Sequence, residues 1–412
     1  MLVPAGLSAV EAAAGIALGC APSTAAPSGA ARGFGTETAL TTLPPGRESP
    51  RAALENALAR ALRRPPCVIA FSGGRDSALL LAAAVGVARS RELEPPLALT
   101  LCYPRAPESE ESAWQAKVLG HLAAQAAWQR IELSNELDLI GPVATPYLLD
   151  ARAPLFPPNA HSVAPLAERA RGGTLVMGIG GDELLLPQRW QSLNDLLAGE
   201  RPPELRDVRR LAAALLPARV RGWLDAARFD AGSELPWLRP EGRRRLRRLL
   251  AETPDMPVRF DRALVQVARA RYLALGLATI ARIARAHGAR LSAPLLDQRF
   301  VTALARSRGR RGWPSRTAAM RALASDLLPD EVLARRSKAS FGGAFFTDTT
   351  RAFAARWSSR GLDDSIVDPE VLRTIWLGPS PDYRTGMLLQ AAWLHDSLAR
   401  DAEPRPRSAL AA

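Results

Sequence analysis

One stretch of this sequence, CVIAFSGGRDS at residues 67–77, constrains the fold more than any other. Its first five residues are apolar and predict a short buried strand. Residues 78–85 are rich in Ala and Leu, which favour helix. Between them, paired glycines let the backbone approach an anion, and the first N–H groups of a helix have no internal acceptor. The order of strand, glycine turn and helix therefore predicts a phosphate-binding site.

The polar side chains of this turn add to the prediction. Ser72 and Ser77 supply hydroxyl donors for phosphate oxygens. Asp76 would repel a bare phosphate, so its presence indicates a bridging Mg²⁺. The turn differs from the G-x-x-x-x-G-K-[ST] loop of other phosphate binders. The alternative is a glycine turn that merely joins a strand to a helix.

Residues 67–187 alternate short apolar runs with helical patterns. This alternation predicts an α/β fold, in which helices cover both faces of a parallel sheet and the crossovers are right-handed. From residue 190 onward the pattern predicts helices and no further strand. The expected strands are 67–71, 97–102, 129–133 and 174–178, and the expected helices are 76–89, 110–126 and 160–171.

A second motif, GIGGDE at 178–183, follows the last of these expected strands. Ligands of parallel sheets bind beyond the carboxyl ends of the strands, so this motif, SGGRDS and residues 103–111 are expected to face one crevice. Because Mg²⁺ prefers carboxylates close to phosphate oxygens, Asp76 and Asp182 are expected to share one or two ions across a pyrophosphate. The alternative is a glycine turn followed by an acid at a helix start.

Lys338 stands out because the chain has 54 Lys and Arg residues and only one other lysine, Lys117. A compact ammonium is not interchangeable with a guanidinium. Lys338 precedes a Phe-Gly-Gly stretch at 341–343, which suits a flexible loop that closes on a ligand. Lys338 is therefore a candidate catalytic residue, whereas Lys117 lies on an ordinary expected helix.

Composition narrows the functional classes. The net charge of +13 suits an acidic peptide, a nucleic acid or an anionic membrane. No recognisable RNA-binding module accompanies it, so we expect no nucleic-acid partner, and the run at 243–248 is expected to be a solvated helix face. No apolar run approaches the ~20 residues of a membrane span. Three cysteines without a C-x-x-C spacing favour a reduced, cytoplasmic compartment.

Several other residues have a structural interpretation. Ser109 is expected to cap a helix whose first turn holds the carboxylates of Glu110 and Glu111, with contact to a substrate as the alternative. Asp297 is expected to cap a helix starting near 298. The stretch 147–161 is expected to be a loop, with His161 in packing or at the surface. Residues 259–287 are expected to form one long or kinked helix.

The length allows one large domain or two ordinary ones. We expect an N-terminal segment at 1–48 and an α/β core at 49–190. A helical part at 191–400 follows and carries Lys338. The polar tail at 401–412 is expected to fray.

The motifs SGGRDS, GGDE, APLLD and RRSKASFG occur in this order. SGGRDS resembles the PP-loop of N-type ATP pyrophosphatases, and the ordered set resembles the synthetase domain of the asparagine synthetase family over roughly 50–350. The resemblance implies cleavage of ATP between its α- and β-phosphates, an acyl-adenylate and then an amide. Relatives of this kind include β-lactam synthetases and the macrolactam cyclases of lasso peptides.

The resemblance also implies roles for individual residues. Asp76 and Asp182 would bind Mg²⁺, and Lys338 would offset the negative charge that gathers as the amide forms and pyrophosphate leaves. Residues Phe71, Ser72, Gly73, Gly74, Ser77, Leu101, Gly178 and Gly180 would bind ATP: the serines with Gly73 and Gly74 at its pyrophosphate, Gly178 and the backbone near Leu101 beside its adenosine.

Two departures from the family pattern stand out. Residue 2 is Leu2, where family amidotransferases have the cysteine of a glutaminase domain, so that domain is expected to be missing. Ile179 occupies a position that is Glu in asparagine synthetases and Tyr in β-lactam synthetases, and Ile cannot act as a base. Both departures favour an amine-bearing substrate, and APLLD and RRSKASF look closer to the lasso cyclases.

The leading hypothesis is therefore an ATP-dependent, AMP-forming amide synthetase, most simply a peptide macrolactam cyclase. Its partners would be a peptide or small-molecule carboxylate, and a precursor peptide with a leader-processing protein. Ammonia-dependent asparagine synthesis, a non-catalytic nucleotide-binding protein and an RNA-modifying PP-loop enzyme remain alternatives. The identity of the acid, the amine and the oligomeric state stay open.

Overall fold

The structure is a computed structural model that describes most of the chain. The described residues are 1–20, 48–122, 127–200, 202–229, 231–337 and 339–402. Lys338 and the greater part of the predicted tail at 401–412 lie outside them.

Five parallel strands form one sheet in the order β3-β2-β1-β4-β5. β1 lies at the centre, where Val68 is in register with Leu97 on one side and Leu175 on the other. The sheet confirms the predicted α/β fold. The strands are β1 Cys67–Ala70, β2 Leu97–Cys102, β3 Ala127–Glu132, β4 Thr174–Val176 and β5 Arg290–Ser292.

The α-helices of the described residues are α1 Ala9–Ala14, α2 Pro50–Leu62, α3 Arg75–Ser90, α4 Ser112–His121, α5 Thr145–Ala151, α6 Ala164–Arg169, α7 Gly181–Leu185, α8 Gln191–Leu197, α9 Leu205–Leu215, α10 Ala218–Arg228, α11 Ala231–Glu234, α12 Pro240–Glu252, α13 Phe260–Ala268, α14 Arg271–Ala286, α15 Gln298–Arg308, α16 Arg316–Ala324, α17 Asp330–Leu333, α18 Gly342–Phe345, α19 Asp348–Arg356, α20 Pro369–Leu377 and α21 Gly386–Ala402. None of them is long and apolar enough to cross a bilayer.

Successive side chains of each central strand enter different cores, as the strand period of two requires. Val68 packs into the core that holds α6, α14 and part of α21. Its neighbours Cys67 and Ile69 pack into the core of α2, α3 and α15 on the other face. Leu175 and Val176 of β4 divide in the same way. The apolar run CVIA is explained by this burial on both faces.

The expectation that no strand follows residue 190 is wrong. β5 pairs with β4, with Leu175 in register with Leu291. Arg290 N donates to Gly173 O over 3.0 Å, and Met177 N donates to Ser292 O over 2.9 Å. β5 has only three residues with one fully buried side chain, which is too short to show a period in the sequence.

Of the two expected helix caps, one is confirmed and the other is wrong. Asp297 caps α15 as predicted, accepting from Arg299 N over 2.9 Å. Ser109 caps no helix, because α4 begins at Ser112 and its N-cap residue Glu111 makes no capping bond. The Ser109 hydroxyl donates instead to Ala106 O over 2.6 Å.

Other local expectations are partly corrected. The stretch expected to be a loop at 147–161 contains most of α5, and 259–287 forms two helices that are interrupted at residues 269 and 270. His161 is fully buried, as its packing interpretation required. The arginine run at 243–248 lies on α12 and is mostly exposed around the buried Leu246, which confirms a solvated helix face.

The first residues of the chain pack against α12 and against the last helix, α21. Ser8 and Glu11 form a capping box at the start of α1. Trp237 Nε1 donates to Ala13 O over 2.7 Å, and Val10 joins the core of α21. The expected division of the chain at 48, 190 and 400 stays a prediction.

Candidate active site

The order of the strands places the two glycine-rich motifs side by side. The chain passes from β1 through α3 to β2 on one side of the sheet, whereas β4 lies on the other side of β1. A crevice opens at such a reversal of strand order, outside the carboxyl ends of the strands. SGGRDS follows β1 and GIGGDE follows β4, so both motifs lie at this crevice.

The SGGRDS loop has the conformation that an anion site needs. Gly73 has a φ of +84°, and a Cβ there would meet Gln115 Cγ at 2.9 Å. The first intrahelical bond of α3 runs from Ala78 N to Gly74 O, so the N–H groups of 75–77 precede it. Ser72 Oγ lies 3.2 Å from Ser77 Oγ. Hydroxyls and first-turn N–H groups are thus gathered at the start of a 16-residue helix.

Protein donors hold the carbonyl oxygens of the same loop. Thr100 Oγ1 donates to Phe71 O over 2.7 Å, and Gln115 Nε2 donates to Ser72 O over 3.1 Å. Arg335 Nη1 donates to Gly73 O over 2.9 Å. Since C=O and N–H point in opposite directions across a trans peptide, these bonds also fix where the following N–H groups point.

Asp76 and Asp182 meet on one guanidinium. Arg316 Nη2 donates to Asp76 Oδ2 over 2.6 Å, and Arg316 Nη1 donates to Asp182 Oδ1. Arg316 is the first residue of α16, which Ser315 caps through its hydroxyl. Two carboxylates from neighbouring strand ends therefore lie within reach of a single cation.

The electrostatics of this cluster follow from its burial. Burial raises the pKa of Asp76, and Arg316 opposes that rise without cancelling it. Burial likewise raises the pKa of Glu183, which the neighbouring Asp182 and Asp76 raise further. Asp76 Oδ1 is buried and has no hydrogen-bond partner among the described residues.

The cluster fits a divalent cation. A guanidinium already lies between the two carboxylates, and one buried carboxylate oxygen lacks a donor. No group of three or more His, Cys, Asp and Glu placed to hold a metal occurs in the described ranges. Mg²⁺ needs no such cage, because it binds one or two carboxylates together with phosphate oxygens and water.

Glycines in GIGGDE make room for Asp76. A Cβ on Gly178 would meet Asp76 Cβ at 3.2 Å, and a Cβ on Gly181 would collide with the Asp76 carboxylate. Gly180 has a φ of +97° and lies against the side chain of Leu296. Gly180 therefore shapes the turn, whereas Gly178 and Gly181 contact the aspartate.

The remaining predicted site residues lie in different surroundings. The Phe71 side chain is buried in the core, so only its backbone reaches the crevice. Leu101 is half-buried on β2, and Ile179 is half-buried against the core. Lys338 lies outside the described residues, so its contacts are not part of the structure.

Sequence reasoning missed Arg316, Gln115, Arg335 and the role of Glu111. Arg316 carries no signal, because arginine is by far the commonest charged residue of this chain. Arg335 lies in the motif RRSKASFG, of which only Lys338 was named as a candidate. Glu111 was expected in the first turn of a capped helix, or alternatively in contact with a substrate. It forms instead a buried ion pair with Arg335 beside the SGGRDS loop.

Comparison with known proteins finds a family model that matches most of the chain. The sequence model of the family described as asparagine synthase matches residues 50–396. The match includes both glycine-rich motifs, Arg316 and Arg335. No curated protein matches the chain in sequence.

Proposed function

The chain belongs to the asparagine synthase family, a family of ATP-dependent amide synthetases, and we propose that it is an AMP-forming ligase that closes macrolactam rings in peptides. The convergence of Asp76 and Asp182 on one cation beside the anion-binding start of α3 carries this proposal. Phosphate-binding N–H groups and paired carboxylates are what a Mg²⁺–ATP complex requires.

The reaction has two steps. An oxygen of the substrate carboxylate attacks the α-phosphorus of ATP, and the bond to the β-phosphate oxygen breaks to release pyrophosphate. The amine then attacks the activated acyl carbon, loses a proton and expels AMP. Both steps gather negative charge on leaving oxygens, so fixed cations and N–H donors stabilise their transition states.

The residues of the crevice divide this work. The N–H groups of 75–77 and the hydroxyls of Ser72 and Ser77 would bind the departing pyrophosphate. Asp76 and Asp182 would hold Mg²⁺, which supplies charge neutralisation at the phosphates. Lys338 would offset charge in both steps, as proposed from its motif.

Two features support an amine-bearing peptide as the substrate. Ile179, between two glycines at the crevice, offers no base to a small amine, and its side chain packs on the core. The net charge of +13 favours an acidic peptide partner, such as a precursor whose Asp or Glu side chain is activated. The ring would close when the amino terminus of that peptide attacks.

The test is pyrophosphate release in the presence of ATP, Mg²⁺ and synthetic peptides with a free amino terminus and an internal Asp or Glu. A cyclase yields pyrophosphate, AMP and a peptide lighter by one water. The same peptide with an acetylated amino terminus is the control, because it can be activated but cannot cyclise. ADP and phosphate as products would refute the proposal.

Two further outcomes point elsewhere. Asparagine formed from aspartate and ammonium alone would identify an ammonia-dependent synthetase. ATP bound in a calorimeter without turnover over the whole substrate panel would identify a non-catalytic nucleotide-binding protein.

A further inference from the structure

A buried ion pair joins two distant segments beside the phosphate-binding loop. Arg335 uses both terminal nitrogens to donate to the two carboxylate oxygens of Glu111. Glu111 is 6% exposed and Arg335 7% exposed. Arg335 also lies over the ring of Trp114, with 4.7 Å between its guanidinium carbon and the ring centroid.

This pair has further bonds on both sides. Arg335 Nη1 donates to Gly73 O over 2.9 Å, and Arg335 Nε donates to Ser337 Oγ over 3.0 Å. Glu111 Oε1 accepts from Ala339 N over 3.0 Å. Glu111 therefore binds the residues on both sides of 336–338, while Arg335 binds the loop.

Stability alone does not account for such an arrangement. A buried ion pair repays little of its desolvation cost, and an apolar pair of similar volume is often as stable. An apolar pair would, however, leave Gly73 O and Ala339 N without their partners. What the ion pair provides is therefore a fixed geometry between the loop and the segment 335–339.

The bond to Gly73 O sets this geometry at the level of one peptide group. Gly73 C=O and Gly74 N–H belong to the same planar unit and point in opposite directions. Holding the carbonyl with Arg335 thus fixes the direction of the Gly74 N–H. The Gly74 N–H itself donates to Ser72 Oγ over 3.3 Å. Arg335 and Ser72 therefore restrain this peptide group from its two sides, at a site that needs preorganised donors.

We propose that Glu111 and Arg335 are positioning residues, which clamp the chain at 335–337 and at 339 onto the SGGRDS loop and so fix the phosphate-binding donors of that loop. This inference rests on the proposed ATP-dependent function. The segment carries Lys338, and the clamp holds the chain on either side of it. Glu111 and Arg335 need not touch ATP themselves.

The first experiment measures kcat and KM for ATP in pyrophosphate formation with Glu111→Gln. We expect kcat to fall by about 10- to 100-fold, since a misplaced catalytic group costs this much, and KM to change less. Asp330→Asn is the matched control, because Asp330 pairs with Arg321 at the exposed surface of the neighbouring helices. A normal kcat in Glu111→Gln overturns the inference.

A second variant separates positioning from simple loss of structure. Arg335→Lys keeps the charge but loses the bidentate pair and the bond to Gly73 O. If the two residues act as one clamp, the double variant is no slower than the slower single variant. Losses of kcat that multiply in the double variant would contradict a shared role.

Limited trypsin digestion supplies a readout that needs no activity. The segment contains two tryptic sites besides Arg335, after Arg336 and Lys338. Glu111→Gln should be cut there several-fold faster than the wild type, with Asp330→Asn unchanged, because release of the clamp raises the population of the open segment. Equal cleavage rates in all three proteins would show that no clamp exists.

The two readouts distinguish the possible failures. A wild-type protein without ATP-dependent turnover refutes the proposed function, yet its cleavage rates still test the clamp. Faster cleavage in Glu111→Gln with an unchanged kcat shows a clamp without a positioning role, which overturns the inference. A thermal unfolding midpoint well above the assay temperature in each variant confirms that the assays compare folded proteins.

Discussion

Ion pairs of the same chemistry serve two different purposes in the crevice and at the surface. At the crevice, Arg316 binds Asp76 with side-chain exposures of 13% and 17%, and the two residues are 240 positions apart. At the surface, Arg321 binds Asp330 with exposures of 53% and 63%, nine positions apart. This buried pair holds distant segments together, whereas this exposed pair joins neighbours along the chain.

Solvent explains the difference. Water and salt screen an exposed pair, so that its contribution to stability is close to zero. A buried pair interacts more strongly, but removing one partner leaves a charge without compensation. The crevice therefore depends on a few charged residues, and the surface tolerates the loss of most.

The largest expected effect is on catalysis. Asp76→Asn should lower ATP-dependent pyrophosphate formation by about 10²–10³-fold, because it removes a carboxylate that would hold Mg²⁺ at the phosphates while keeping the shape of the side chain. Asp330→Asn is the surface counterpart and should leave the rate unchanged. Comparable rates in Asp76→Asn and the wild type would show that the carboxylate of Asp76 takes no part in the reaction.

The next effect is on stability. Arg316→Gln leaves the buried Asp76 without its cation, so the free energy of unfolding should fall by about 2–4 kcal/mol. Arg321→Gln at the surface should cause no measurable change. Urea unfolding followed by circular dichroism measures both. Equal losses in the two variants would show that burial does not distinguish the two kinds of pair.

His161 adds a buried group whose protonation opposes folding. It is fully buried, its Nε2 lies 2.9 Å from Leu137 O, and burial lowers its pKa. The imidazole of the unfolded chain has a pKa near 6.5. Around that pH it binds a proton more readily than the buried imidazole of the folded protein does. The free energy of unfolding should therefore fall as pH drops from about 7, by up to ~1.4 kcal/mol per pH unit from this residue.

The measurement is urea unfolding of the wild type and His161→Gln between pH 8 and pH 5. Above pH 7 their difference should be constant, since neither state is then protonated at this residue. Below that, the wild type should lose stability more steeply than the variant. Parallel curves over the whole range would mean that His161 keeps an ordinary pKa.

The same contrast explains what the sequence could predict. Apolar runs such as CVIA are local signals, and they predicted four of the five strands. Motif residues such as Asp76 and Asp182 were named because glycines surround them. Arg316 and Glu111 gave no such signal, because their roles arise from contacts with residues more than 200 positions away. Arg335 lies in the motif RRSKASFG, but that motif does not show its pairing with Glu111. No local pattern in the sequence shows which arginines become buried when the chain folds.

The smallest expected effect concerns a half-exposed pair between α10 and the chain before α8. Arg189 Nη2 donates to Asp225 Oδ1 over 2.9 Å, and this bond lowers the pKa of Asp225. A lowered folded pKa gives stability that is present above the unfolded value near 3.9 and is lost as pH falls through the folded value.

Asp225→Asn should therefore lower the free energy of unfolding by about 0.5 kcal/mol at pH 7, with the difference from wild type vanishing towards pH 3. Urea unfolding at both pH values measures this difference. Here the dependence of stability on pH comes from a surface carboxylate, whereas for His161 it comes from a buried imidazole. A loss as large as that of Arg316→Gln would mean that this surface pair is as important as the crevice pairs, and the distinction between the two regions would have to be abandoned.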